Sequence, residues 1–206
     1  MTKELQAHWN KVYADKHETE VSWFQETPDV SLDLIATAEA TPEHAIIDIG
    51  GGASRLVDAL LARAFQRVTV LDLSHIGLER AQDRLGEAAR TVTWLVADAT
   101  TWEPPQTYDI WHDRAVFHFL NEEKEQQAYL DRLRRSLSIG GRVIFGTFAP
   151  EGPEKCSGLP VTRHDSASLS RLLGPAFTLT DNRRHDHQTP WGSRQAFQFS
   201  TFQRMA

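Results

Sequence analysis

The chain has 206 residues, with 22 Lys and Arg against 28 Asp and Glu, 9 His and a single Cys, for a formal charge of −6. One cysteine excludes an internal disulfide and a Cys-rich zinc site, and the acidic balance argues against phosphate-backbone binding, which depends on clustered Lys and Arg. A chain of this length buries roughly 70% of its unfolded surface as one α/β domain, so it needs no covalent staple.

The opening MTKELQAHWNKVYADKHE lacks the apolar core of a signal peptide, and no stretch reaches the roughly 18 apolar residues that span a bilayer. The expectation is a soluble, cytoplasmic chain whose partners include neither membrane nor nucleic acid. Leu5, His8, Trp9, Val12 and Tyr13 share one helical face, and Val30, Leu34, Ile35 and Ala38 another. The aromatic segment Val21-Ser22-Trp23-Phe24 separates the two predicted helices.

From residue 45 short apolar runs alternate with amphipathic stretches. Strands are predicted at Ala45–Ile49, Arg67–Leu71, Thr91–Val96, Tyr108–His112 and Arg142–Phe148. Helices are predicted at Ala53–Ala64, at Ser74–Ala89 with Ser74 as N-cap, and at Asn121–Ser138, the last ended by Gly140-Gly141. Such alternation implies right-handed crossovers and a mainly parallel, Rossmann-like α/β sheet with helices on both faces. Phe177–Thr180 and Ala196–Phe202 have no long helix between them, which predicts a closing antiparallel hairpin. Residues 1–44 form a helical lid and 45–206 the main domain of a single structural unit.

Ile46-Ile47-Asp48-Ile49-Gly50-Gly51-Gly52 runs a buried strand into three glycines, where a ligand can approach bare backbone. Asp72 ends the second strand, 24 positions after Asp48, where a carboxylate can accept from two ribose hydroxyls. Asp98 follows the third strand. Taken alone, each acid reads as a turn former; three of them at successive strand ends point to a shared site. Ser54-Arg55-Leu56 falls where a dinucleotide fingerprint needs its third glycine, and Asp48 would repel a pyrophosphate. That disfavours a nicotinamide-dependent oxidoreductase and suits a cationic ligand.

With these motifs in order over about residues 45–148, the sequence resembles the class I S-adenosylmethionine-dependent methyltransferases. The resemblance implies sheet order 3-2-1-4-5-7-6 with strand seven antiparallel, and S-adenosyl-L-methionine as cofactor. Gly50 and Gly52 would pass the methionine part, Asp72 with Leu73 would hold the ribose, and Asp98 with Ala99 would meet adenine. Asp48 and Asp113 complete the expected binding set. His8 to Tyr13 with Val21 to Phe24 resembles the entry segment of a subgroup that includes protein lysine methyltransferases, which implies that Trp9, Tyr13 and Trp23 cover the cofactor; packing as ordinary core is the other reading.

Methyl transfer needs a positioned nucleophile and, for some acceptors, a base. Candidates are Asp113 and His118 after the fourth strand, and Cys156 in the turn-rich loop Ala149–Gly158. Arg114 and His118 favour a neutral or anionic acceptor over an ammonium. His164, His185 and His187 lack a clear carboxylate partner, so no metal is expected. The expected acceptor is a small molecule: a thiol, another chalcogen or a small carboxylate. A protein lysine substrate and a non-catalytic cofactor-binding role are the alternatives.

Overall fold

In the computed structural model, which describes residues 2–206, every position of β1 (Ala45–Ile49) is buried, as a strand covered on both faces must be. It runs parallel to β2 (Arg67–Asp72) on one side and β4 (Tyr108–Arg114) on the other. β3 (Thr93–Val96) and β5 (Leu137–Phe148) extend the parallel set. β9 (Arg194–Arg204) joins β5 antiparallel, and β8 (Phe177–Gln188) pairs with β9 at the edge. The order β3-β2-β1-β4-β5-β9-β8 is the expected one, since β6 (Lys155–Cys156) and β7 (Leu159–Pro160) form a separate small hairpin.

Successive residues of the central strands point to opposite faces, and each face has its own apolar core. Ile47, Ile49, Trp111 and Phe145 pack with Tyr129 and Leu133 of α5 (Glu123–Ser136) and with Leu169 and Leu173 of α6 (Ser166–Leu173). Ile46, Val70, Ile110 and Ile144 pack with α2 (Asp29–Thr37), α3 (Leu56–Ala62) and Leu78 of α4 (His75–Leu85). α1 (Thr2–Asp15) lies across the carboxyl edge of the sheet. There Gln6 Nε2 donates to the Leu73 carbonyl at 2.9 Å, and Ser74 Oγ donates to Asn10 Oδ1 at 2.8 Å.

Several boundaries differ from expectation. α3 starts at Leu56 rather than Ala53 because Gly50 and Gly52 hold positive φ (69° and 46°), which delays the first helical turn. Ser74 caps α4 as predicted, accepting from Gly77 N at 3.1 Å, but the helix stops at Leu85, where Gly86 turns at φ 58°. Gly140-Gly141 do not end α5; its C-cap is Leu137, and the glycines lie inside β5, which is longer than predicted. α6 was not anticipated: it is only eight residues long, and three serines interrupt its apolar positions Ala167, Leu169, Leu172 and Leu173. Its Asp165/Ser168 capping box and C-cap Gly174 are the local signals that define it. β8 extends to Gln188 through Arg183, Arg184 and His185, supported by β9 rather than by its own composition.

Candidate active site

The carboxyl ends of β1 to β4 with the turns that follow them, the entry segment and Cys156 of the β6–β7 hairpin enclose one cleft of about 1530 Å³, part of it open solvent. At its centre the chain leaves β1 through Gly50 and Gly51, whose amides both donate to the Leu71 carbonyl, at 2.6 and 3.2 Å. A Cβ on Gly50 would fall 2.0 Å from Val116, so a bare backbone is required there. Gly52 does not reach the cleft in the expected way. The Tyr13 hydroxyl covers it, 2.1 Å from where its Cβ would stand, with Asp72 Oδ2 at 3.2 Å from the same point.

Asp72 ends β2 in the cleft wall. Burial pushes its carboxyl up to about 7, helped by nearby Asp48 and opposed by the amides of Ser74, at 2.7 Å, and Gly52. Burial also raises the Tyr13 hydroxyl, with Asp72 adding to the effect. Leu73, Asp98 and Ala99 line the same end. Asp98 Oδ1 accepts from Thr100 N at 2.8 Å and Thr100 Oγ1 at 2.6 Å, which fixes its loop. Glu125 of α5 also lines the cleft, with a buried Oε1 that has no hydrogen-bond partner among the described residues.

Above this floor Trp9 packs edge-on against Trp23 at 5.6 Å and Phe119 at 5.3 Å, and Tyr13 meets Trp23 at 6.3 Å. The three predicted aromatics therefore wall the cleft as well as packing with one another. Asp48 is buried and engaged: His112 Nδ1 donates to its Oδ1 at 2.7 Å, while His112 Nε2 meets Ser31 Oγ at 2.9 Å. Neither His112 nor Ser31 was singled out from sequence. Asp48 and His112 are register partners on adjacent strands, but the link to Ser31 spans 81 positions and carries no local signal.

Of the three catalytic candidates, Asp113 and His118 lie outside the cleft and Cys156 lines it. Asp113 is fully buried and does not line the cleft. It accepts from Val116 N (2.9 Å), Phe117 N (3.1 Å) and Tyr129 Oη (2.5 Å), and Tyr129 in turn accepts from Trp111 Nε1 at 2.7 Å. Burial raises its carboxyl to about 6, against those donors. Asp113 thus shapes the turn after β4, because buried amides need a partner, and its carboxylate is turned away from the cleft. His118 also lies outside the cleft, fully buried between Phe119 and Phe148 at 4.5 and 4.8 Å. Burial, with His164 and Arg114 nearby, lowers it to about 3, so the imidazole is neutral near pH 7. Cys156 does line the cleft. Burial lifts its thiol to about 11, although Arg114 and a bond with Ser22 pull the other way, so it is not a ready nucleophile.

His187 Nε2 bonds the Ser22 carbonyl at 2.7 Å and His164 packs on Phe117 at 5.3 Å. No group of three or more His, Cys, Asp or Glu among the described residues is arranged to hold a metal ion. No helix among them is long and apolar enough to cross a membrane.

The family profile described as a methyltransferase domain matches residues 46–141. Those residues, a little under half of the chain, form a methyltransferase domain, in agreement with the class I S-adenosylmethionine-dependent resemblance read from the sequence. Its matched segment is 33% identical over 109 residues to a malonyl-acyl-carrier-protein O-methyltransferase of Anoxybacillus flavithermus, covering 52% of this chain and 40% of that protein. The chain therefore aligns with less than half of that relative. A methyltransferase from Anabaena variabilis superposes with TM-score 0.77 at 17% identity, over 98% of this chain and 94% of the other. A Burkholderia thailandensis 1,6-didemethyltoxoflavin-N1-methyltransferase, solved with 1,6-didemethyltoxoflavin and S-adenosylhomocysteine, superposes with TM-score 0.70 at 18% identity, over 100% and 91%. At such identities these two likenesses establish the fold.

The residues present fit the family's cofactor. A buried carboxylate on β2 with acceptor capacity to spare, bare backbone after β1 and the unpartnered Glu125 oxygen are the groups that a hydroxyl-bearing, cationic nucleoside would satisfy.

Proposed function

We propose that this protein transfers a methyl group from S-adenosylmethionine to a small-molecule acceptor. The observation that carries this is a single cleft joining Asp72, Asp98 and the Gly50 turn at one end to Arg114 and Cys156 at the other, beneath an aromatic wall. Asp72 and Leu73 would hold the ribose, Asp98, Ala99 and Glu125 the adenine end, and the Gly50-Gly51 backbone the methionine part. When bound, the cofactor supplies an electrophilic methyl on a sulfonium, so little covalent chemistry is asked of the protein.

The protein's work is then positioning and exclusion of water. Trp9, Tyr13 and Trp23, within the lid of residues 1–44, close the cleft over the reacting atoms. With His118 and Asp113 turned away from the cleft, the acceptor must be nucleophilic without a strong protein base, as a thiolate or carboxylate is. The name of the Burkholderia thailandensis protein gives it a free small molecule, 1,6-didemethyltoxoflavin, and that of the Anoxybacillus flavithermus relative a malonyl group on a carrier protein; both support a small acceptor group. A lysine ammonium would sit beside the Arg114 charge and be repelled.

Calorimetry with S-adenosylhomocysteine tests the cofactor half: wild type should bind, and Asp72→Ala should bind far more weakly. Equal binding by both, or none by the folded wild type, rejects it. Labelled cofactor with a panel of small thiols and carboxylates tests the acceptor half, and label confined to protein in a lysate rejects that part.

A further inference from the structure

Arg114 closes β4 in register with Gly146 of β5. Its guanidinium lies over the Phe197 ring, 5.0 Å from the centroid, and Nη1 donates to the Trp23 carbonyl at 3.0 Å. The other two nitrogens, Nε and Nη2, are buried and have no hydrogen-bond partner among the described residues. Nε and Nη2 form the edge through which a guanidinium grips a carboxylate with two parallel bonds. A buried cation left with that edge empty is costly unless a ligand fills it.

The surroundings do not neutralise it. The acidic groups whose charge Arg114 senses are Cys156 and Asp48. The Cys156 thiol stays protonated at neutral pH, and Asp48 is held by His112. Burial draws Arg114 down to about 10, which still leaves it charged.

Its place in the cleft separates it from the proposed nucleoside end. Asp72 and Asp98 follow β2 and β3, on one side of β1, whereas Arg114 stands on the far side, beside β5, with Cys156 on the same wall.

We propose that the Nε–Nη2 edge of Arg114 is the receptor for a carboxylate on the methyl acceptor, so that the substrates of this enzyme are small organic acids. This rests on the methyltransferase reading above. The acid is anchored by Arg114 and Phe197 while its nucleophilic atom is presented to the methyl. The cofactor's own carboxylate is the other source of the same chemistry, and the experiment separates the two.

Mercaptoacetate, mercaptopropionate and malonate, each paired with its amide, are titrated by calorimetry into wild type, Arg114→Met and Arg114→Lys, with and without saturating S-adenosylhomocysteine. Folding of each variant is checked by its melting temperature. At least one acid should bind wild type about tenfold or more tightly than its amide, lose that preference in Arg114→Met, and keep part of it in Arg114→Lys. Should Arg114→Met fail to fold, the Arg114→Lys comparison stands in its place, since a point charge cannot reproduce the two-bond grip. The proposal falls if no acid is preferred, or if the preference survives in Arg114→Met. It also falls if Arg114→Met weakens S-adenosylhomocysteine but not methylthioadenosine, which lacks the carboxylate, because the edge then serves the cofactor. Failure of wild type to bind S-adenosylhomocysteine at all would instead reject the methyltransferase reading, while the titrations without cofactor still report on Arg114.

Discussion

Asp72→Asn should make the protein more stable and a worse binder at once. The wild-type carboxyl titrates near 7 when folded, against an ordinary value of 3.8. Because the folded value is the higher, the native state holds the extra proton between those pH values. Stability therefore falls as pH rises through that window, and the loss is complete above it. Three units correspond to about 4 kcal/mol by pH 8. Asparagine carries no charge and can still accept from Ser74 N, but it brings an amide needing a partner, so a gain of about 2 kcal/mol is expected. For S-adenosylhomocysteine the sign reverses: two hydrogen bonds to a charged acceptor become weaker neutral ones, which costs about 100-fold in affinity. Wild-type affinity should also fall by about tenfold per pH unit below 7, as Asp72 must give up its proton to bind, while the variant shows no such slope. Urea denaturation at pH 8 and calorimetry between pH 5.5 and 8 measure both. A destabilised variant at pH 8, or a wild-type affinity flat across that range, would refute the reasoning.

Gly52→Ala should cost about 1–3 kcal/mol, because it forces an alanine to positive φ against the Tyr13 hydroxyl; thermal denaturation should show part of the loss recovered when Tyr13→Phe is added. His118→Leu should keep turnover within a few-fold and remove no inflection from the pH–rate profile between pH 5 and 8, whereas loss of a general base would cost about 100-fold or more. Tyr129→Phe removes one donor to Asp113 and the acceptor of Trp111, and should lower stability by about 1–3 kcal/mol in urea denaturation, with S-adenosylhomocysteine affinity unchanged.

The sheet order and the meeting of Asp72 and Asp98 in one cleft were legible because they depend on local signals. Apolar runs marked the buried strands, and the acids that end β2 and β3 fall at the cleft by strand geometry alone. The acceptor end was not legible in the same way. His118 and Asp113 are each next in sequence to a cleft-lining residue, Phe119 and Arg114, yet the positive φ of Ala115 and the turn bonds to Asp113 direct both side chains inward. Spacing along a turn cannot report that rotation. The His112 link to Ser31 and the empty edge of Arg114 are products of long-range packing, and no sequence window contains both members of either contact.

The bond from His112 to Ser31 bears on how this enzyme can be divided. Family similarity begins at residue 46, after α2 has already supplied Ser31 to the Asp48 and His112 pair. A chain trimmed to that boundary would lose the hydroxyl and expose an imidazole and a carboxylate that are buried in the whole chain, next to the Gly50 turn that lines the cleft. α2 is therefore an integral component and not an accessory. Grafting a different one to alter acceptor choice would have to carry a hydroxyl to the same point, so recombination among relatives is constrained by a single serine.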